Sequence, residues 1–242
     1  MSGPRIDVLT IFPELVEPFL AGSLLGQAMR CGRLDVRVTD IRRFAGDRHR
    51  TVDDAPYGGG DGMVLKCEPV VAAVEAVRQP GGRVLVTSPR GRRLDQSLVR
   101  QLAGEAQLVL LCGRYAGFDE RILEETQAEE ISIGDYVVSG GELPALVLVE
   151  AVSRLVPGVL GNCSSAELDS FEQGLLEYPS YTRPRSFRGR EVPAVLVSGD
   201  HTAVASWRHQ RSIHLTRARR PDLLQAAAPN DEDQPILGEP EK

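Results

Sequence analysis

The chain has no apolar run near the roughly 18 residues that a membrane helix needs. Its opening, MSGPRIDVLTIF, goes straight into a strand-like pattern with no charged-then-apolar leader. No membrane partner is therefore expected, and a cytoplasmic location is. Cysteine is scarce: Cys31, Cys67, Cys112 and Cys163 lie far apart with no CxxC pair, which speaks against a zinc site or a disulfide framework and predicts reduced, mostly buried thiols. Histidine is scarcer in useful patterns. His209 and His214 are five apart, off the i, i+4 spacing of a helical metal pair, while His49 and His201 have no obvious partner, so no metal site is predicted from them. GxSxG, GxGxxG and GK[ST] are all missing, which removes support for acyl, dinucleotide and ATP chemistry.

What is present is ordinary globular material. At 242 residues and 42% hydrophobic content the chain can bury a real core. Short β-branched runs alternate with helical patterns, the rhythm of an α/β fold with a mostly parallel sheet. Strands are predicted at 5–12, 34–41, 83–88, 107–112 and 129–133, and helices at 13–30, 69–77, 95–103, 118–126 and 143–155. Small and polar residues after Leu160 read as a break between domains. The expected division is a first domain over 1–160, a flexible linker over 161–173, a basic and mainly helical domain over 174–225, and an acidic, disordered tail over 226–242.

The net charge of −6 hides a strong local imbalance. Residues 183–220 carry nine arginines against only Glu191 and Asp200, so this stretch attracts phosphates although the chain as a whole is acidic.

Glycine gathers in three segments richer in functional side chains than packing needs. The first, DRHRTVDDAPYGGGDGM (47–63), is a long loop whose glycines permit positive φ and whose Arg48, His49 and Arg50 can meet phosphate. The second, LCGRYAGFDER (111–121), is a strand-to-helix turn at a place where open α/β sheets hold ligands, and taken alone it reads no better as a site than as a turn whose glycines serve geometry. The third, SIGDYVVSGGELP (132–144), offers unpaired backbone groups to the edge of a planar ligand. Arg154 and Asp169, taken as isolated charges, read as surface residues.

Together with IDVLTIFPE, EAVSRLVPGVLGN, DSFEQGLLEYPSYTRP, VPAVLVSGDH and RRPDLL, these segments resemble, in continuous order over about residues 5–224, the bacterial tRNA (guanine-N1-)-methyltransferases that modify guanine 37 next to the anticodon. This family is of the knotted SPOUT type. The resemblance implies a deep trefoil knot in the α/β domain, S-adenosyl-L-methionine as methyl donor with magnesium as a further candidate, and a homodimer sharing its active site. The implied substrate is tRNA carrying guanosines 36 and 37. Carried across by position, Asp169 matches the general base and Arg154 its partner. The cofactor would be held by Ser88, Pro89, Gly113, Tyr115, Gly117, Ser132, Ile133, Gly134, Asp135, Tyr136, Val137, Val138, Gly140, Gly141 and Pro144. Tyr57, Gly59, Arg183, Arg208 and Arg211 are the implied tRNA contacts. Two positions depart from the family's habit: Ala116 stands where glutamate is usual, and Asp61 where proline is common. A knotted enzyme with another RNA target, or a tRNA-binding homologue of weak activity, are the alternatives.

Overall fold

The computed structural model describes residues 3–160, 169–172 and 174–226. The chain divides into two compact units, Met1–Cys163 and Ser164–Lys242. Most of the expected linker and all but the first residue of the expected tail lie outside the described residues.

The first unit runs β1 (Arg5–Thr10), α1 (Glu17–Ala21), α2 (Ser23–Arg30), β2 (Asp35–Asp40), β3 (Asp53–Asp54), β4 (Val64–Leu65), α3 (Cys67–Val77), β5 (Arg83–Arg93), α4 (Gln96–Ala103), β6 (Gln107–Cys112), α5 (Arg121–Thr126), β7 (Glu129–Ser132) and α6 (Glu142–Arg154). Five strands form one sheet in the order β2-β1-β6-β5-β7, and every neighbouring pair is parallel. β6 sits at the centre, which is why LVLLC is apolar without alternation: all six residues of the strand are buried between two helical layers, and the polar Gln107 at its start donates to Asp7 Oδ2 at 2.6 Å. Burying each of Leu108, Leu110 and Leu111 is worth roughly 1.5–3 kcal/mol. Ile6, Val8, Leu108 and Leu110 pack with α2, α4 and α6 on one face, while Leu9, Val109 and Leu111 pack with α3 and α5 on the other. α4 is closed at its start by Asp95, whose carboxylate accepts the Leu98 N–H at 2.8 Å, a cap worth about 1 kcal/mol.

Several expected boundaries shift for identifiable reasons. The single helix expected over 13–30 is broken, because Gly22 is extended and Ser23 takes φ +50° between α1 and α2. The helix expected from Phe118 starts at Arg121: Phe118 bridges Leu65, and the Asp119 N–H donates to the Leu65 carbonyl at 3.0 Å, so this stretch is tied to β4. The loop over 47–63 is less structureless than expected, since Asp53 and Asp54 pair with β4 and Asp47 accepts from His49 N, Thr51 N and Thr51 Oγ1. The thiols are not mostly buried either. Cys112 is, but Cys31 is exposed in the turn after α2 and Cys67 is half-buried; Cys163 lies outside the described residues.

β5 is the informative departure. It overruns its expected end at Ser88 and continues to Arg93. Ile131 is the register partner of Thr87 and, after an excursion over 88–91, of Arg92 as well. A Cβ on Gly91 would run into the Glu130–Ile131 backbone, so only glycine lets this excursion lie so close to β7.

The second unit contains a small antiparallel ribbon, β8 (Ser186–Phe187) with β9 (Arg190–Glu191), then α7 (His201–Arg219) and α8 (Pro221–Ala226). Asp200 caps α7 by accepting from the N–H groups of Thr202 and Ala203, both at 3.0 Å.

Candidate functional site

Beside the excursion in β5 and at the carboxyl ends of β6 and β7 lies a cavity of about 450 Å³. Three chain segments form its walls: the β5 excursion, the loop after β6, and the loop between β7 and α6. Fourteen of the fifteen residues implied as cofactor contacts line it; the fifteenth, Asp135, is exposed at a tight turn in which the Tyr136 N–H donates to the Gly134 carbonyl.

The loop after β6 turns through Tyr115 at φ +57° and Gly117 at φ +102°, closed by the Gly117 N–H on the Arg114 carbonyl at 2.9 Å. It is stitched to the other glycine segment: Ala116 N–H donates to the Met63 carbonyl at 2.8 Å, and Leu65 N–H to the Gly117 carbonyl at 2.9 Å. Those glycines end in an exposed tip that carries Tyr57 and Gly59, with Gly58, Gly59, Gly60 and Gly62 all at positive φ.

The opposite wall is held just as closely. Ser132 Oγ accepts from the Gly134 N–H at 3.2 Å, and the Gly141 N–H donates to the Gly113 carbonyl at 2.8 Å. A Cβ on Gly141 would come within 2.7 Å of both the Cys112 Cα and the Gly113 nitrogen, so the return of the chain past β6 requires glycine there.

Beneath this crossing is a buried polar network that sequence reasoning missed. Arg114 Nε lies 2.9 Å from Glu142 Oε2, and Glu142 Oε1 accepts from Thr10 Oγ1 at 2.7 Å. The Arg114 guanidinium also sits 4.8 Å over the Phe12 ring. The ends of β1 and β6 and the start of α6 are thereby tied together, and Arg114 forms a backbone bridge with Gly140. Cys112, next to it, has its thiol pushed up by burial and by the Glu142 carboxylate, so it stays protonated rather than acting as a nucleophile.

At the rim Arg90 bridges Glu120 at 3.1 Å and Glu130 at 3.0 Å, and all three line the cavity. None of the three stood out in the sequence, where each looks like a solvated charge. Nearby, the Arg121 guanidinium holds the Asp119 carboxyl well below the usual carboxylate range. Among the described residues no group of three or more His, Cys, Asp or Glu side chains converges as a metal site.

Arg154 is the half-buried last residue of α6 in the first unit, and Asp169 is half-buried at the start of the described part of the second unit. In the second unit Arg183 is exposed, Arg208 lies 4.7 Å over the Tyr178 ring, and Arg211 lies 5.7 Å over the ring of Trp207. No helix among the described residues is long and apolar enough to cross a membrane.

Comparison with known proteins gives the family of the chain. Residues 4–226 match the family described as tRNA (Guanine-1)-methyltransferase TrmD. The tRNA (guanine-N(1)-)-methyltransferase of Geobacter metallireducens is 52% identical over 240 residues, covering 98% of each chain. That of Myxococcus xanthus is 52% identical over 246 residues, covering 100% of this chain and 99% of its own. That of Geobacillus kaustophilus is 50% identical over 240 residues, covering 98% of each. With the match spanning both units at this identity, the chain belongs to the tRNA (guanine-1)-methyltransferase family, whose members are methyltransferase enzymes.

Proposed function

We propose that this enzyme transfers a methyl group from S-adenosyl-L-methionine to N1 of guanine 37 in tRNA, with Asp169 as general base and Arg154 as the group that steadies charge on guanine O6. The observation that carries the reading is the glycine-walled cavity beside the β5 excursion and at the ends of β6 and β7, in a chain that belongs to this family.

The cavity's residues fit the cofactor. Val86, Ile131, Ile133, Val138 and Pro144 give an apolar lining for an adenine ring. Gly113, Gly134 and Gly141 sit where a Cβ would meet Phe118, Tyr136 and Thr87, so glycine lets the cavity's walls pack closely on one another. Its volume of about 450 Å³ falls in the range of small-molecule sites. The cofactor supplies a methyl group already activated on a sulfonium.

The protein's own work is orientation, proton removal and charge stabilisation. Asp169 would take the proton from guanine N1, freeing the N1 electron pair to accept the methyl group that the cofactor would supply. While N1 lacks its proton, negative charge spreads to O6, where a guanidinium donates charge-assisted hydrogen bonds. The arginines of residues 183–220 supply the phosphate contacts that hold the tRNA.

The test is methyl transfer from labelled cofactor to tRNA bearing guanosines 36 and 37, compared with a transcript carrying adenosine at 37. Label on the first and none on the second is expected; equal labelling of both overturns the position.

The same reading includes a homodimer. It is supported by the exposed side chains of Leu143 and Val147, one turn apart on α6, and of Val137 and Val138 on the preceding loop. Sedimentation should give about twice the 26.3 kDa chain mass, and a monomer at assay concentration overturns it. It includes the trefoil knot too, supported by the β5 excursion and by the packing of Gly140 and Gly141 against the end of β6. Pulling the chain from its two ends should stop short of its full contour length. Extension to that full length excludes the knot.

A further inference from the structure

A second cavity, of about 550 Å³, lies wholly within the second unit and plays no part in the methyl-transfer steps. Its polar lining includes Tyr178, Tyr181, Arg183, Arg185 and Arg208, and among the described residues no acidic side chain lines it. Leu196 and Val197 give it an apolar side.

Hydrogen bonds at several points hold its parts together. The Leu176 N–H donates to Thr216 Oγ1 of α7 at 2.8 Å, which holds the chain leading to Tyr178 against that helix. The Val192 N–H donates to the Arg185 carbonyl at 2.9 Å, so Arg185 is placed by the β8–β9 ribbon. Arg208 is drawn over the Tyr178 ring at 4.7 Å, and Tyr181 meets the Trp207 ring at 6.3 Å with a 56° tilt. Two tyrosines and three arginines therefore line one concave space, and among the described residues no carboxylate lines it.

We propose that this cavity takes one unstacked nucleotide of an RNA strand, its base against the tyrosine rings and its phosphate on Arg183, Arg185 and Arg208. Base-on-aromatic stacking tolerates any sequence because every base has a π-face. Guanidinium planes match phosphate oxygens in paired hydrogen bonds. The proposal rests on the reading of this chain as an RNA-acting enzyme and names a contact by which its second unit grips the strand: it takes hold of a nucleotide pulled out of its stack, as well as attracting the phosphate backbone.

The chain has one tryptophan, and Trp207 touches this cluster, so its emission reports on the site. Full-length protein is titrated with guanosine 5′-monophosphate, adenosine 5′-monophosphate, and inorganic phosphate alone. Both nucleotides should change the emission, saturating at roughly millimolar concentration, whereas phosphate should not. Arg208→Gln should weaken the nucleotides about tenfold, as expected for losing hydrogen bonds from a charged group. Tyr178→Phe, which keeps the ring and its fold, should leave them within about twofold.

Three results overturn the site: an equal response to inorganic phosphate, no response up to roughly 20 mM nucleotide, or an unchanged affinity in Arg208→Gln. The methyl-transfer assay on the same preparation separates the two readings. Active enzyme with a silent Trp207 overturns the nucleotide cavity alone. A nucleotide response in protein that methylates no tRNA supports the cavity and overturns the enzymatic reading.

Discussion

Asp169→Ala should lower turnover by about 10²- to 10⁴-fold, or about 3 to 5 kcal/mol of transition-state stabilisation, while changing cofactor affinity by less than about twofold. The split follows from where the residue stands. The cavity proposed for the cofactor is lined entirely by residues of the first unit, between Val86 and Pro144, whereas Asp169 belongs to the second. With Asp169 as the proposed base, removing its carboxylate would take away the acceptor for the guanine N1 proton and leave the walls of the cavity untouched. Single-turnover methylation and calorimetric titration with the cofactor measure the two quantities separately. Asp169→Asn should be as slow as the alanine variant, because the amide keeps the shape but cannot take the proton. Wild-type turnover in either variant removes Asp169 from the mechanism. A loss of cofactor binding equal to the loss of rate gives it a structural role instead.

The sheet was largely legible because its strands announce themselves by burial. Residues 108–112 form a five-residue apolar run with no polar alternation, the pattern of a strand covered on both faces, and the expected bounds of 107–112 match the structure. The break between α1 and α2 was not legible. GSLLGQAM continues a helical pattern, and the extended Gly22 with Ser23 at φ +50° leaves no mark in the spacing of its apolar residues. The continuation of β5 to Arg93 was hidden for the opposite reason, since SPRGRR has the composition of a loop and is strand only because β7 takes it as a partner.

The site was legible as glycine and illegible as charge. Gly113, Gly134 and Gly141 stood out as glycines in turns between strand and helix, which geometry alone also explains, and only the resemblance implied cofactor contacts; the structure gives each a neighbour that a Cβ would meet. No local pattern says that residues 10, 114 and 142 meet. Glu142 looks like an ordinary acidic residue in the first turn of a helix, where the dipole favours it. Arg114 stood inside a quoted motif with no role attached. The one usable signal was position: Glu142 follows directly on two glycines that hold the chain against β6, where a side chain is more readily buried than solvated.

That buried charge predicts the second large effect, on stability. Glu142→Ala should destabilise the first unit by about 3 to 5 kcal/mol, the usual consequence of removing one partner of a buried ion pair. The Glu142 side chain is 3% exposed and that of Arg114 20%, so the stranded guanidinium cannot simply turn out to water. Phe12 still covers one of its faces, and Thr10, fully buried, loses the acceptor for its hydroxyl. Glu142→Gln should cost less, because an amide oxygen still accepts one hydrogen bond in the same space. The decisive comparison is Arg114→Met with Glu142→Ala in one chain. If the penalty comes from an uncompensated charge, the double variant should be more stable than the sum of the two single losses allows. Denaturant unfolding of all four proteins measures this. A loss below about 1 kcal/mol for Glu142→Ala, or strictly additive losses, would show that the network contributes little. If the coupling is there, Arg114 is held by Glu142, and through the Arg114–Gly140 bridge so are both walls of the cavity. Glu142→Gln should then bind the cofactor more weakly even under conditions where it is fully folded.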